Sequence, residues 1–417
     1  MLVSLKFNNA YAYLSEEIFS LRADLRSKKL SSNVIKSNNT NVVKSACIYG
    51  PNNSGKTCLI KILKALRNIL LDENRIIHSN IFSDNPIVSV SCRFIEDQSE
   101  WEYEFKFNDK TRDFLFEQFS KVILDSYNNE KLEIYFLRDF ENKNFVCKDE
   151  KLKESILLLS KKNILIHIAD TTELKYLDEA KKMLTNFASN LIIIDMNNIP
   201  LSHTIQMLKN HDKLQAEIVS FIKNADLYLD DYKYIDNTKI KLVKESDQIT
   251  EEEVLANRIP KSIEDSLKLV SVYKGKFLPS LLFDSTGTKK IAALASYVVE
   301  ALKKGQTLII DELDSSIHFK LTREIVSMFN NVLNDSAQLI FSAHDVSLLD
   351  CKKLFRKEQI WFVHKDEKKI YLYPLSSFTA EDGIRADSTD LYDKYKKGIL
   401  GAIPDPDMIE TLLQVKK

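Results

Sequence analysis

Glycine is scarce in this chain, with eight in 417 residues, and five of the eight fall in three short motifs: Gly50 with Gly55, Gly287, and Gly398 with Gly401. Glycine is kept where a backbone turns tightly or approaches a ligand, so such sparing use marks the special sites. Cysteine is also scarce. Cys47, Cys58, Cys92, Cys147 and Cys351 are odd in number, scattered and without a C-x-x-C pair, which excludes a disulfide framework and a zinc site and suits a reducing compartment. No stretch approaches the 18 or so uninterrupted apolar residues of a membrane span. Met1–Lys6 lacks the basic start and long apolar run of a signal peptide, so the expected location is the cytoplasm, without a membrane. Neither charge sign is in excess: 59 basic and 60 acidic residues leave a net charge of −1. That excludes a general nucleic-acid coat, and any such contact must come from a local patch. Internal repeats are absent, and so are sustained heptads between 119 and 265, which argues against a coiled-coil arm.

What is present reads as a well-packed α/β protein, with 44% hydrophobic and 29% charged residues and a length that suits one large domain with an insertion, or two domains. Val42–Tyr49 is a short β-prone apolar run ending at Gly50, and Cys58–Leu71 repeats apolar residues at helical spacing. Val88, Val90, Cys92 and Phe94, then Trp101, Tyr103, Phe105 and Phe107, alternate as strands do, with Glu96–Ser99 as a hairpin connection. From 119 to 265 the chain is rich in Lys, Leu, Glu and Asn and has no glycine, and helical stretches at Leu174–Leu184 and Thr204–Ala225 predict a mostly helical insertion. Within it Ile164–Ile168 and Leu191–Ile194 are apolar runs that periodicity leaves open between strand and helix core, and 245–265 is strongly charged and exposed. After 266, Leu281–Phe283 leads to Asp284–Thr288 and an apolar helix over Lys290–Leu302, and strands are predicted at Thr307–Ile310, Gln338–Phe341 and Gln359–Val363. Such alternation implies a mainly parallel sheet covered on both faces.

Gly50-Pro51-Asn52-Asn53-Ser54-Gly55-Lys56-Thr57 satisfies G-x-x-x-x-G-K-[ST] between an apolar strand and a helix. In that layout the backbone N–H groups of Asn52, Asn53, Ser54 and Gly55, with Cys58 in the first helical turn, cradle phosphate oxygens. Lys56 reaches the terminal phosphates and the Thr57 hydroxyl ligates Mg²⁺. Thr307–Ile310 carries Asp311 to a strand end, where it can hold the Mg²⁺ shell, and Glu312 beside it can orient or deprotonate the attacking water. Apolar runs often end in solvated acids, and it is the pairing with the phosphate loop that singles this one out. The nucleotide is expected to be ATP.

Further segments resemble a subclass. Asp284-Ser285-Thr286-Gly287-Thr288, ahead of a helix, resembles the degenerate signature of ABC-type, SMC-like ATPases; Leu313-Asp314 resembles their D-loop, and Ser342-Ala343-His344-Asp345 their switch histidine. The chain is similar to the ABC-type ATPases of bacterial defence loci, the RloA/AbiL-type abortive-infection group that neighbours the OLD-family and PARIS-type ATPases. Beyond the nucleotide motifs this likeness rests on Phe355–Lys365 and on Tyr392–Pro404, where Lys397–Pro404 resembles the group's "GRFGA-P" ending but carries Lys397-Gly398-Ile399-Leu400, without the aromatic that often follows the basic residue. The resemblance implies head-to-head homodimers or higher oligomers formed with ATP, in which the Ser285–Gly287 segment acts on the nucleotide of the opposite subunit. Asp314 is expected to bind nucleotide and His344 to be catalytic. The resemblance also implies a separately encoded effector, such as a RloB-like or TOPRIM-type protein, controlled in response to phage.

The expectation is therefore an α/β P-loop NTPase of the ABC-ATPase type, with a mainly parallel central sheet, an antiparallel β subdomain and a mostly helical insertion. Residues 1–118 and 266–405 form a discontinuous head, 119–265 the insertion and 406–417 a tail. Its expected activity is hydrolysis of ATP to ADP and phosphate as sensor and regulator of an effector in anti-phage defence. A DNA-repair ATPase of the SMC and recombination type is the alternative. No nuclease is expected on this chain, because only a short tail, including Asp405-Pro406-Asp407, follows the Gly398–Pro404 segment.

Overall fold

A computed structural model describes the chain except residues 38–39, 126, 128, 148–159, 168–174, 211–212, 226–227, 236–264, 368, 385–389, 404–407 and 416–417. Its first strands are β1 (Leu2–Asn8), β2 (Glu17–Ser20), β3 (Val34–Lys36), β4 (Asn41–Val43) and β5 (Ser45–Tyr49), followed by helix α1 (Lys56–Leu70). Then come β6 (Ile87–Glu96), β7 (Ser99–Asn108), β8 (Asp113–Leu124), β9 (Glu130–Asp139), β10 (Asn144–Cys147), α2 (Lys175–Ser189) and β11 (Leu191–Asp195). Helices α3 (Ser202–Lys209) and α4 (Gln215–Asn224) precede β12 (Asp231–Tyr234), β13 (Leu269–Tyr273), β14 (Lys276–Pro279), α5 (Ser280–Phe283) and α6 (Thr286–Lys304). The chain ends with β15 (Thr307–Asp311), α7 (Phe319–Asn330), β16 (Gln338–Ser342), β17 (Ile360–Lys365), β18 (Ile370–Pro374), α8 (Leu391–Lys396) and α9 (Ile409–Val415).

The central sheet has the order β11-β15-β16-β5-β17-β18, parallel except for β18. Its strands are buried on both faces, so alternate residues join different cores. Ile48, Ile309 and Ile340 face α1 and a seven-stranded antiparallel sheet, while Tyr49, Leu308, Ile310 and Phe341 face α6 and α7. That antiparallel sheet, β10-β9-β8-β7-β6-β1-β2, buries the predicted face of β6 and β7. Asp97 and Gln98 both have positive φ (46° and 58°), the signature of a two-residue hairpin turn that matches the twist of its strands. A third core joins α3 and α4 to β12, β13 and one face of α6. No helix among the described residues is long and apolar enough to cross a membrane.

The fold class is thus the expected α/β one, but the insertion needs correcting. The described residues of 119–265 are not mostly helical: besides α2, α3 and α4 they hold β9 and β10, which extend the antiparallel sheet, β12, and β11, the edge of the central sheet. The boundary at 119 falls inside β8. The Lys- and Glu-rich composition suggests helix, yet propensity is a weak prior against cross-strand packing. Phe119 stacks on Trp101 at a centroid distance of 5.0 Å and touches Tyr135 and Phe136, while Glu117 and Arg138, fully buried, pair at 2.8 Å. The described part of the Ile164–Ile168 run proves to be neither strand nor α-helix: Leu165–His167 is a single 3₁₀ turn. The charged 245–264 stretch and Asp405-Pro406-Asp407 lie outside the described residues.

Candidate functional site

Parallel strands deliver their following loops to one edge of the sheet, and the candidate residues gather there. β5 ends at Tyr49 and the phosphate-loop segment follows. Gly50 has no room for a side chain, since a Cβ would lie 2.5 Å from the Val363 carbonyl oxygen. Asn53 (φ 61°) and Gly55 (φ 117°) are left-handed, which curls the backbone ahead of α1. Asn52, Asn53 and Thr57 are exposed and Cys58 half-buried in the first turn of α1. Ser54 is buried and its Oγ has no hydrogen-bond partner. Lys56, also buried, donates from Nζ to the carbonyls of Gly50 (2.6 Å) and Pro51 (3.0 Å).

Two strands across, β15 ends in buried Asp311, and the neighbouring β16 ends in Ser342. The Ser342 hydroxyl donates to Asp311 Oδ1 (2.5 Å) and accepts the Glu312 backbone N–H (2.8 Å), so one side chain holds both acids in place. Glu312 has φ 55°, a left-handed conformation that costs a non-glycine residue roughly 1–3 kcal/mol and recurs at functional sites. Its Oε1 lies 3.8 Å from His344 Nε2. Asp314 acts on backbone: its Oδ2 accepts the N–H groups of His344 (2.8 Å) and Asp345 (2.6 Å), fixing the loop that carries the histidine.

The Ser285–Gly287 segment opens α6. Ser285 caps it by accepting the Thr288 N–H at 3.1 Å, and a Cβ on Gly287 would meet the Ser316 carbonyl at 2.9 Å. Lys290 reaches the Ser315 and Ser316 hydroxyls at 3.2 and 3.3 Å, so the segment packs against the loop that follows Glu312. The structure brings Lys56, Asp311, Glu312, Asp314 and His344 to one strand edge, whereas Ser285 and Gly287 stand beside that loop on the start of another helix.

Over residues 45–350, a stretch that includes all of these positions, the chain matches the family described as "AAA domain, putative AbiEii toxin, Type IV TA system". The chain belongs to this AAA family. Among solved structures it is similar to the SMC head domain from Thermotoga maritima, at 12% identity and a TM-score of 0.41, covering 89% of this chain and 98% of that one. It is also similar to an SMC head bound to the C-terminal winged-helix domain of ScpA, at 11% identity and a TM-score of 0.45, covering 92% and 99%. No curated protein matches the chain.

In this AAA domain the electrostatics suit a polyanion. Burial lowers the Lys56 pKa, and the negative charges of Asp311, Glu312 and Asp314 pull it back up. An anion among the loop's N–H groups favours the charged lysine further. The residues also fit a nucleotide with its cation. The loop supplies a left-handed cradle and an orphaned Ser54 hydroxyl, and Thr57 and Asp311 carry hard oxygen donors of the kind that could hold Mg²⁺ with phosphates and water completing its shell. Among the described residues no cluster of three His, Cys, Asp or Glu could hold a metal unaided.

Four contributors escape the motifs. Asn197, just beyond β11, donates from Nδ2 to Glu312 Oε2 (2.7 Å) and accepts from Ser315 Oγ (2.8 Å). Its register is set by β11 pairing with β15, Asp195 opposite Asp311. The signal in the sequence is the Leu191–Ile194 run followed by the polar Asp195, Asn197 and Asn198, a pattern fit for a strand reaching the ligand edge. Tyr13 donates to the Gly55 carbonyl (3.1 Å) and Tyr49 to that of Asp345 (3.2 Å). Burial pushes both phenols well above their usual range, so they remain protonated donors. In the sequence Ser342 stands out only as a neighbour of His344, although its hydroxyl joins the two acids.

Proposed function

We propose that the chain hydrolyses ATP to ADP and phosphate, and that the cycle regulates a separately encoded nuclease or toxin in anti-phage defence. One observation carries the hydrolytic reading: a phosphate loop and an Asp–Glu pair sit at the same strand edge, the pair locked by one serine hydroxyl. Thr57 and Asp311 would hold Mg²⁺, which when bound neutralises charge on the phosphates. Loop N–H groups and Lys56 bind and orient the terminal phosphates. Glu312, oriented by Asn197, takes the proton of the attacking water, and His344 approaches the same carboxylate. The defence reading is supported by the family, which is described by an AbiEii-type toxin of a type IV toxin–antitoxin system, and by the resemblance to abortive-infection ATPases.

The Ser285–Gly287 segment, standing apart on α6, suits action across a head-to-head homodimer. A helix N-terminus with a small hydroxyl residue and a glycine fits a terminal phosphate presented by a second copy. Gly287→Arg tests this. The variant should bind ATP yet not hydrolyse it, and mixing it with Lys56→Ala protein should restore partial turnover, because one interface then pairs two intact halves. Mixed dimers are first shown by tagged pull-down. Exchange without recovery would eliminate action in trans.

A further inference from the structure

The Phe355–Lys365 segment holds a feature that nucleotide chemistry leaves unused. Arg356 is only 5% exposed, yet its guanidinium serves a distant loop. Nη1 donates to the carbonyls of Ser27 (3.2 Å) and Lys29 (2.6 Å), and Nη2 to those of Asp24 (2.7 Å) and Ser27 (3.2 Å). Its Nε donates to Glu358 (2.5 Å), whose same oxygen accepts the Asp24 N–H (3.1 Å). Asn33 adds a bond to the Leu354 carbonyl at 2.9 Å. The facing turn is pinned as well. Asp350 Oδ1 accepts the N–H groups of Lys352 (2.8 Å) and Lys353 (3.0 Å), while Oδ2 accepts from Arg323 (2.6 Å).

These two pinned segments display cations. Asp24–Lys29 and Asp350–Glu358 together hold seven basic side chains against three acidic ones, in a chain whose net charge is −1. All three acids are engaged at 3.0 Å or less: Asp24 by Arg26, Asp350 by Arg323 and Glu358 by Arg356. Lys28, Lys352 and Lys353 are exposed and Lys29 is half-buried between them. The two segments adjoin: Arg356 and Glu358 of the turn bond to the backbone of Asp24 and Lys29 in the loop.

Its place in the fold is fixed by topology. Arg356–Gln359 leads into β17, which runs parallel to β5, and the phosphate loop leaves the far end of β5. The cations therefore lie at the opposite edge of the sheet, a strand length of roughly 17 Å away. Arg356 is committed within the protein, the fork of exposed Arg26 is taken by Asp24 (3.0 and 3.2 Å), and the exposed lysines are compact point charges. A carboxylate partner is best met by a free planar arginine fork, whereas a line of phosphates is met by lysines without geometric demand.

We infer that the surface formed by the Asp24–Lys29 loop and the Asp350–Glu358 turn binds the phosphate backbone of nucleic acid, independently of the phosphate loop.

The experiment measures binding of the full chain to labelled duplex DNA, duplex RNA and single-stranded DNA across a salt series. Three to four phosphate contacts predict a plot of log K against log salt with a slope of about −3 for the DNA duplex. Lys352→Gln/Lys353→Gln should weaken binding about tenfold or more and reduce the slope by about 2. Its melting temperature and basal nucleotide turnover should be unchanged. Lys28→Gln should reduce the slope by about 1. Lys56→Ala should leave nucleic-acid affinity intact, which keeps this inference separate from the ATPase reading. Relative affinities for the three probes identify the preferred nucleic acid. Absence of binding to all three at low salt, or an unchanged slope in the double variant, would overturn the inference. So would polyglutamate binding as tightly as the duplex, which would assign the surface to an acidic protein.

Discussion

The two edges of the central sheet carry similar polar residues and treat them in opposite ways. At the edge where the parallel strands begin, two buried glutamines have their bonding capacity filled. Gln338, fully buried, accepts from the Leu2 N–H and Thr307 and donates to the Leu2 and Val43 carbonyls. Gln359 accepts from Asn33 and the Arg356 N–H and donates to the Ser45 carbonyl, Ser45 Oγ and Asn330. At the edge where the strands end, Ser54 Oγ is orphaned, Lys56 turns back on its own loop, and Asn53 and Glu312 are held left-handed. Saturation marks a polar group that holds the fold, and strain with unmet bonding capacity marks one prepared for a ligand.

Substitutions at both edges sharpen that contrast. The largest effect is expected for Lys56→Ala, which should reduce phosphate release to background without moving the melting temperature. Normal turnover in a folded variant would break the assignment of the phosphate loop. Glu312→Gln should slow hydrolysis about 10²–10⁴-fold while ATP binding persists. Size measurements should then show an ATP-trapped dimer, and full turnover at unchanged mass counts against the residue. Gln359→Leu should act in the opposite currency. Stranding the amide's partners in the core is expected to cost about 2–4 kcal/mol of stability, read as a lower denaturation midpoint, with turnover per folded molecule kept. An unmoved midpoint would erase the distinction between the edges. Smallest is Asn197→Ala: a drop in kcat of about tenfold at constant KM, about 1.4 kcal/mol, because one orienting bond to Glu312 is lost.

Much of the fold was legible because its signals are local. The phosphate loop advertises itself through glycines at fixed spacing, β15 and β16 through unbroken apolar runs, and the β6–β7 hairpin through alternation. What escaped depends on distant partners. The Leu191–Ile194 run becomes a strand only by pairing with β15, and that pairing puts Asn197 beside Glu312. β9 reads as helix until Trp101 and Phe119 are there to pack against it. Gln338 and Gln359 open predicted strands, but glutamine is mostly exposed, and what satisfies their buried amides is decided by partners hundreds of positions away. Of the candidate site, the segments were legible, but not the serine and asparagine that join them.

The position of β5 bears on how the protein comes into being. The strand that launches the phosphate loop is flanked only by β16 and β17, so Ser45–Tyr49 waits for residues 338–342 and 360–365. Hairpins β6 to β9 need only neighbours in sequence and are free to form early, whereas the nucleotide edge closes after most of the chain has left the ribosome. A nascent chain halted before residue 338 would possess the complete glycine-rich motif and still have no sheet on which to hold it. ATP-binding competence should therefore emerge late and abruptly during synthesis, which keeps incomplete copies from entering the cycle.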